Sequence, residues 1–228
     1  MSSSPSPQAR RHTDVIAETV NLAGSRVLEV GCGSGQLLRW IQRKAALAVG
    51  ADPDAEQIDR ARQEGTPFLV RSAGERLPFA DASFDVTLWF NSLHHVPVPL
   101  QRRAIEESVR VTRSEGSVLV IEPEAAGPWF ELVKLVEDET EVRAAAQAVL
   151  DDPPPGLERR AASTYASRVV EESAEAAGRR FLAANPERAE ALVTQMEALG
   201  ERFAALGTRT DSGWAFDQPM RLHHFRRR

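Results

Sequence analysis

The sequence predicts an α/β protein built on a doubly wound, mostly parallel sheet, and three observations point there. Short, continuously apolar runs alternate with segments of helical spacing between residues 26 and 121. Uninterrupted apolar strands suit a sheet covered on both faces. The first run, Arg26-Val27-Leu28-Glu29-Val30, passes straight into a glycine turn from Gly31 to Gly35, and the second closes on an acid, Asp52.

Each element has its own signal. Residues 10–22 form an amphipathic helix through Val15, Ile16, Ala17 and Val20, ended by Gly24. After the strand at 26–30, a helix over 36–44 carries Leu37, Leu38 and Ile41. The strand at 46–51 is closed by Asp52. Asp54 caps a helix running to residue 62, and Gly65 stops it. Residues 68–70 form the third strand, and 84–90, dense in β-branched and aromatic residues, the fourth. A helix over 102–113 turns Ile105 and Val109 inward, and 117–121 is the fifth strand. After Pro123 the spacing is helical over 129–150 through Phe130, Val133 and Val136, until Asp-Asp-Pro-Pro-Pro-Gly breaks it at 151–156. Residues 157–184 read as one long helix. Asn185-Pro186 starts another, with proline at the first helical position. It carries Leu192, Val193, Met196, Leu199 and Phe203 and ends at Gly207. Residues 213–225 form a weak strand or hairpin around Asp217-Gln218-Pro219.

Composition narrows the function. A length of 228 residues gives one full domain plus an elaboration at about 150 residues per domain. With Lys+Arg 28 against Asp+Glu 33, the net charge of −5 argues against a dedicated nucleic-acid binder. Cys32 is the sole cysteine, which excludes an internal disulfide and a zinc ribbon. No apolar run approaches the ~20 residues of a membrane span, and the Ser/Pro-rich start lacks the apolar core of a secretory signal. The expectation is a cytoplasmic protein in four parts: a disordered leader (1–9), a sheet core (10–123), a helical cap or insertion (124–207) and terminal strands completing the sheet (208–228).

Glycines in the turn permit positive φ and let a ligand lie against backbone, while the helix opening at Gln36 aims amide groups at it. A nicotinamide-type fingerprint would want glycine at position 36. The Asp52 carboxylate suits a ribose, since it can accept from both hydroxyls.

Val27-Leu28-Glu29-Val30-Gly31-Cys32-Gly33-Ser34-Gly35 resembles the first motif of class I S-adenosylmethionine-dependent methyltransferases. Four further segments resemble that family in order: Val49-Gly-Ala-Asp52-Pro53; Glu75-Arg-Leu-Pro-Phe79 with Ala82-Ser-Phe-Asp85; Asn91-Ser-Leu-His-His95-Val; and Arg110-Val-Thr-Arg-Ser-Glu-Gly116. The likeness covers about residues 26–123 and is strongest to the small-molecule group that includes quinone-biosynthesis enzymes. It implies a Rossmann-like, seven-stranded sheet with a helical insertion after the fifth strand. It also implies S-adenosylmethionine as cofactor and S-adenosylhomocysteine as product. Glu29 would lie near the methionyl amino group, lined by Gly31, Cys32, Gly33 and Gly35. Asp52 would take the ribose, with Pro53 at the adenine. Gly74 and Glu75 would flank the adenine edge, and Asn91 would offer backbone to the methionine part. Ala73 stands where the family often has an acid that accepts from the adenine amino group, and Ser114-Glu115-Gly116 replaces Pro-Gly-Gly.

Methyl transfer from a sulfonium is an in-line displacement, so alignment supplies much of the catalysis. A hydroxyl or amine acceptor also needs a base. His94, His95 and Glu122 are the candidates, at the carboxyl ends of strands four and five. His94 and His95 are adjacent, so their side chains are expected to diverge. Trp129, Phe130 and Tyr165 come from the helical region expected to roof the site, with either of the first two as an apolar acceptor wall and Tyr165 as cap packing. Cys32 reads as a small loop residue, Asp85 as a fixture at the entry to the fourth strand, and His223-His224 as part of a terminal strand with no metal site. The expected partner is a small-molecule methyl acceptor, with no nucleic acid and no membrane, and the helical region allows a homodimer. An RNA or protein methyltransferase is the alternative, although Asn91 is followed by Ser-Leu-His rather than the Pro-Pro-Tyr used on base amines. A cofactor-binding protein without transfer activity and a nicotinamide oxidoreductase are the other readings.

Overall fold

A computed structural model describes residues 9–228. Most of the expected leader, residues 1–8, lies outside the described residues, while Ala9 forms a parallel bridge to Ala166.

The first half follows its local signals. Helix α1 (His12–Thr19) buries Val15 and Ile16. It stops short of residue 22 because Asn21 folds its side chain onto the Ala23 amide, a turn that competes with helix. Strand β1 (Arg26–Val30) leads to α2 (Gln36–Gln42), then β2 (Leu47–Asp52) and α3 (Ala55–Gln63). The Asp54 carboxylate accepts from the Glu56 and Gln57 amides and caps α3. Strands β3 (Leu69–Arg71) and β4 (Phe84–Phe90) follow, then α4 (Val98–Val111), which begins four residues early on proline at its first turn. Strand β5 (Thr112–Pro123) is longer than its apolar core at 117–121, because Thr112 already pairs with Phe84.

The second half departs from expectation. The stretch 129–150 is two helices, α5 (Pro128–Val133) and α6 (Thr140–Asp151), separated where Asp138 accepts from the Thr140 amide. Residues 157–184 are not one helix, and the segment 124–207 is not all helical. Strand β6 (Leu157–Glu171) precedes α7 (Ala174–Ala184). Thr164, Tyr165, Val169 and Val170 prefer extended backbone, and β6 gains a neighbour in the sheet that no local pattern reveals. Ser173 caps the Ala176 amide and starts α7. Helix α8 (Ala189–Leu206), strand β7 (Thr208–Thr210) and strand β8 (Gly213–Arg227) complete the chain.

Among the described residues the sheet has eight strands in the order β3-β2-β1-β4-β5-β8-β6, with β7 on β8. The pairs β1–β2, β1–β4, β2–β3 and β4–β5 are parallel, and β7–β8 is antiparallel. The chain thus forms an α/β, doubly wound, mostly parallel sheet. It divides into two compact units. The first comprises His12–Glu122, Ala144–Thr164 and Arg221–Arg228; the second holds residues 9–11, Pro123–Arg143 and Tyr165–Met220. The first has a core of Leu28, Val30, Trp89, Ile105, Val120 and Phe225. The second packs Leu132, Phe181, Leu192, Leu199, Phe203 and Phe216.

Candidate functional site

In the first unit, β2 and β3 lie to one side of β1 while β4 and β5 lie to the other. Connections from β1 and β4 therefore part company at this point, where open α/β sheets place a ligand crevice outside the carboxyl ends of the strands. The glycine turn sits there. Gly31, Gly33 and Gly35 have φ of 73°, 51° and 77°. The Gly31 and Cys32 amides donate to the Ala51 carbonyl at 2.7 and 3.2 Å. A Cβ on Gly33 would meet nothing nearer than Gln57 Oε1 at 4.0 Å, so the backbone there has an open face.

Asp52 is bound into this turn. Its Oδ2 accepts from the Gly33 amide at 2.8 Å and its Oδ1 from the Asp54 amide at 2.9 Å. Burial raises its carboxyl above the ordinary range despite those two bonds. Each oxygen is thus already engaged once and keeps one further acceptor position. Glu29 lies on the neighbouring strand, paired in register with Gly50. It is 2% exposed, and its Oε2 has no hydrogen-bond partner among the described residues. Burial, then the Asp52 charge, holds its carboxyl well above the usual range. Cys32 is buried, and burial followed by the Glu29 and Asp52 charges pushes its thiol up, which suits an inert loop residue.

The other side of the crevice is the turn after β4. Asn91 has φ of 54°, and its amide donates to the Ile121 carbonyl at 2.8 Å. Glu122 accepts from the Ser92 and Leu93 amides at 2.9 and 2.8 Å on Oε1, and from the His94 amide at 3.4 Å and the His94 Nδ1 on Oε2.

The comparisons with known proteins meet at this segment. A family model described as "Methyltransferase domain" matches residues 28–120. An uncharacterized methyltransferase of Mycobacteroides abscessus is 36% identical over 119 residues, which is 50% of this chain and 45% of that protein. The 27-O-demethylrifamycin SV methyltransferase of Amycolatopsis mediterranei is 34% identical over 116 residues, 46% of this chain and 42% of that protein. The matched stretch thus spans under half the length of these curated relatives. The solved structure of the YcgJ protein from Bacillus subtilis has 20% identity and a TM-score of 0.64, covering 95% of this chain and 97% of that one, a likeness of fold.

Within and beside the matched segment, the residues singled out in the sequence divide into groups. Glu29, Gly31, Cys32, Gly33, Gly35 and Asp52 come together around one turn. Gln36 is exposed at the first residue of α2, and Pro53 is exposed beyond β2, its carbonyl held by Arg71 Nε at 3.1 Å. Gly74 is buried because a Cβ would lie 2.3 Å from Trp89 Cη2, so packing demands this glycine; Glu75 beside it is half-buried.

Glu122 needs a correction. Its side chain is 1% exposed and is filled by protein donors. Burial would raise its carboxyl, but the adjacent His94 and the Leu93 and Ser92 amides outweigh that and hold it below the usual range. A carboxylate held ionised by four donors is a fixture, not a proton acceptor. His94 is buried with it at 2% exposure, whereas His95 is exposed. The two rings do not diverge as expected: their centroids are 4.0 Å apart, because both sit in one tight 3-10 turn (Leu93–His95).

In the second unit, Trp129 packs on Phe181 and Phe216 at 5.3 and 5.9 Å. Phe130 is 1% exposed under the Arg143 guanidinium, and Tyr165 is buried with its phenol pushed up by burial. Phe130 is thus core, not an exposed acceptor wall.

Sequence reasoning missed three supports of the site. Ser92 Oγ donates to the Val30 carbonyl at 2.8 Å. Arg39 Nη1 donates to the Ser34 carbonyl at 2.8 Å while its Nη2 pairs with Glu64 at 2.5 Å, bracing the glycine turn. Arg110 donates to the Phe79 and Leu77 carbonyls at 2.7 and 2.9 Å, while Glu107 Oε2 accepts from the Leu77 amide at 3.0 Å. The signal for the last pair was present in the sequence, since Glu107 and Arg110 stand three apart on one helix face. Asp85, as expected, fixes its strand: it accepts from the Arg26 amide at 2.7 Å and pairs with Arg113.

Proposed function

We propose that the protein is an S-adenosylmethionine-dependent methyltransferase acting on a small organic acceptor. The observation that carries this reading is the Gly33 amide bound to the Asp52 carboxylate beneath an open backbone face, where the strand order reverses. Two features support the fit of that cofactor. The orphaned Glu29 Oε2 calls for a donor such as an ammonium group, and Asp52 retains acceptor capacity for a ribose hydroxyl on each oxygen.

When bound, S-adenosylmethionine supplies an activated methyl group on its sulfonium. In this reading Glu29 holds the amino group and gains the partner it lacks. Asp52 holds the ribose and, through Gly33, ties sugar and turn together. Gly31, Cys32, Gly33 and Gly35 form the floor, with Gln36 at the start of the helix and Pro53, Gly74 and Glu75 toward the adenine. Alignment of acceptor and methyl supplies about 7–11 kcal/mol of the barrier. Where the acceptor carries a hydroxyl or amine, exposed His95 is the imidazole of this turn suited to take its proton. The net charge of −5 and the name of the Amycolatopsis relative favour a small molecule over a polyanion.

Titration calorimetry with S-adenosylmethionine, S-adenosylhomocysteine and NAD tests the proposal. Binding of the two sulfur compounds without NAD is expected. Tight NAD binding with neither sulfur compound bound overturns it.

A further inference from the structure

We propose that Ser92 and Glu122 form a latch that fixes the Val30–Gly31 peptide, making both positioning residues for the amino-acid end of the cofactor. The inference rests on the reading of this turn as the S-adenosylmethionine site.

The peptide between Val30 and Gly31 is the last of β1 and the first of the glycine turn, and it is gripped from two strands. Its N–H donates to the Ala51 carbonyl on the β2 side at 2.7 Å. Its carbonyl accepts from Ser92 Oγ on the β4 side at 2.8 Å. Ser92 also fills the space a side chain at position 31 would need, since a Cβ there would lie 2.4 Å from Ser92 Cβ. The hydroxyl thus replaces a side chain that the turn cannot carry.

Ser92 would not hold this place by itself. It follows Asn91, whose φ of 54° is uncommon for a residue with a side chain. What stabilises the turn is Glu122, on the far side of β4: three successive amides, from Ser92, Leu93 and His94, converge on its carboxylate together with His94 Nδ1. A buried carboxylate with four donors is strongly held, because a lost partner would leave a charge unpaired in a medium that screens it poorly. The constraint therefore runs from β5, across the end of β4, to β1.

The latch touches one side of the turn only. Asp52, with its Gly33 and Asp54 amide partners, is anchored from β2 and does not involve Ser92. Loosening the latch should free the peptide nearest Glu29 and leave the ribose grip in place. That selectivity separates positioning from general loss of structure.

The test is titration calorimetry on the full chain with S-adenosylhomocysteine and, separately, adenosine. Ser92→Ala should raise Kd for S-adenosylhomocysteine about three- to tenfold, the effect of one net hydrogen bond, with adenosine affinity unchanged within about twofold. Glu122→Gln, which turns an amide N–H₂ toward N–H donors, should give the same split with a larger loss. Unchanged S-adenosylhomocysteine affinity in Ser92→Ala, or equal losses for both ligands, overturns the latch. If the unsubstituted chain binds no S-adenosylhomocysteine, the reading of the site fails first. Amide exchange at Gly31 in the unliganded chain then decides the latch alone: faster exchange in Ser92→Ala supports it, and unchanged exchange overturns it.

Discussion

Gly31→Ala puts the geometry of the crevice to a quantitative trial. The new methyl group would lie 2.4 Å from Ser92 Cβ and 2.9 Å from Ser92 Oγ, distances that backbone or turn must yield to. Overpacking of this kind costs roughly 1–3 kcal/mol. The residue must also hold φ of 73°, which costs a residue with a Cβ roughly 1–2 kcal/mol. The two effects sum to about 2–5 kcal/mol, a large share of a typical folding stability of about 5–15 kcal/mol. Urea unfolding at equilibrium measures it. A double-mutant cycle with Ser92→Gly separates the parts, because removing Ser92 Cβ relieves the clash but not the φ strain. The double variant should recover about 1–3 kcal/mol relative to the sum of the singles. Strict additivity would refute the argument that Ser92 occupies the space denied to residue 31.

Further outcomes follow from other parts of the site and core. Asp52→Ala should weaken S-adenosylmethionine binding by roughly 2–4 kcal/mol through lost charge-assisted bonds, read by calorimetry; equal affinity would mean the ribose is held elsewhere. Glu29→Gln removes a buried carboxylate whose ionised form is disfavoured by burial and by Asp52, so the unliganded chain should melt higher at pH 8 while S-adenosylhomocysteine binds more weakly. A lower melting point in the unliganded variant would contradict the orphaned state of Oε2. His223 is fully buried between Arg159 and Gln147, and burial, then the Arg159 charge, lowers it to about 4. Its neutral form is favoured in the fold, so its contribution is present above pH 6.5 and falls away as pH drops toward about 4, by about 3 kcal/mol in all; a His223→Gln chain that loses stability as steeply as the parent over that window would exclude His223 as the cause. Arg110→Ala strips the Leu77 and Phe79 carbonyls and the Asp81 carboxylate of a donor and leaves Glu107 with only Arg103 and the Leu77 amide, at a cost of roughly 2–4 kcal/mol in urea unfolding; a loss under ~1 kcal/mol would show that the segment is held otherwise.

What the chain alone determines is local. The apolar run into Gly31, Gly33 and Gly35, the Asp54 cap and the acid closing β2 are each written within a few residues, because a turn, a cap or a buried strand is set by backbone preference and immediate neighbours; Asn185-Pro186 opens a 3-10 turn (Pro186–Arg188), and the α-helix begins only at Ala189. The glycine turn and Asp52 could therefore be named before their contact at 2.8 Å was seen. Tertiary structure decided the rest. Residues 157–171 contain enough Ala, Glu and Arg to read as helix, and only a neighbouring strand far along the chain makes them extended. Glu122, legible as an acid at a strand end, became a fixture because three amides and an imidazole nearly thirty positions away converge on it. Phe130 became core for the same reason: burial and partners belong to the assembled layers, and no window of sequence holds both sides of such a contact.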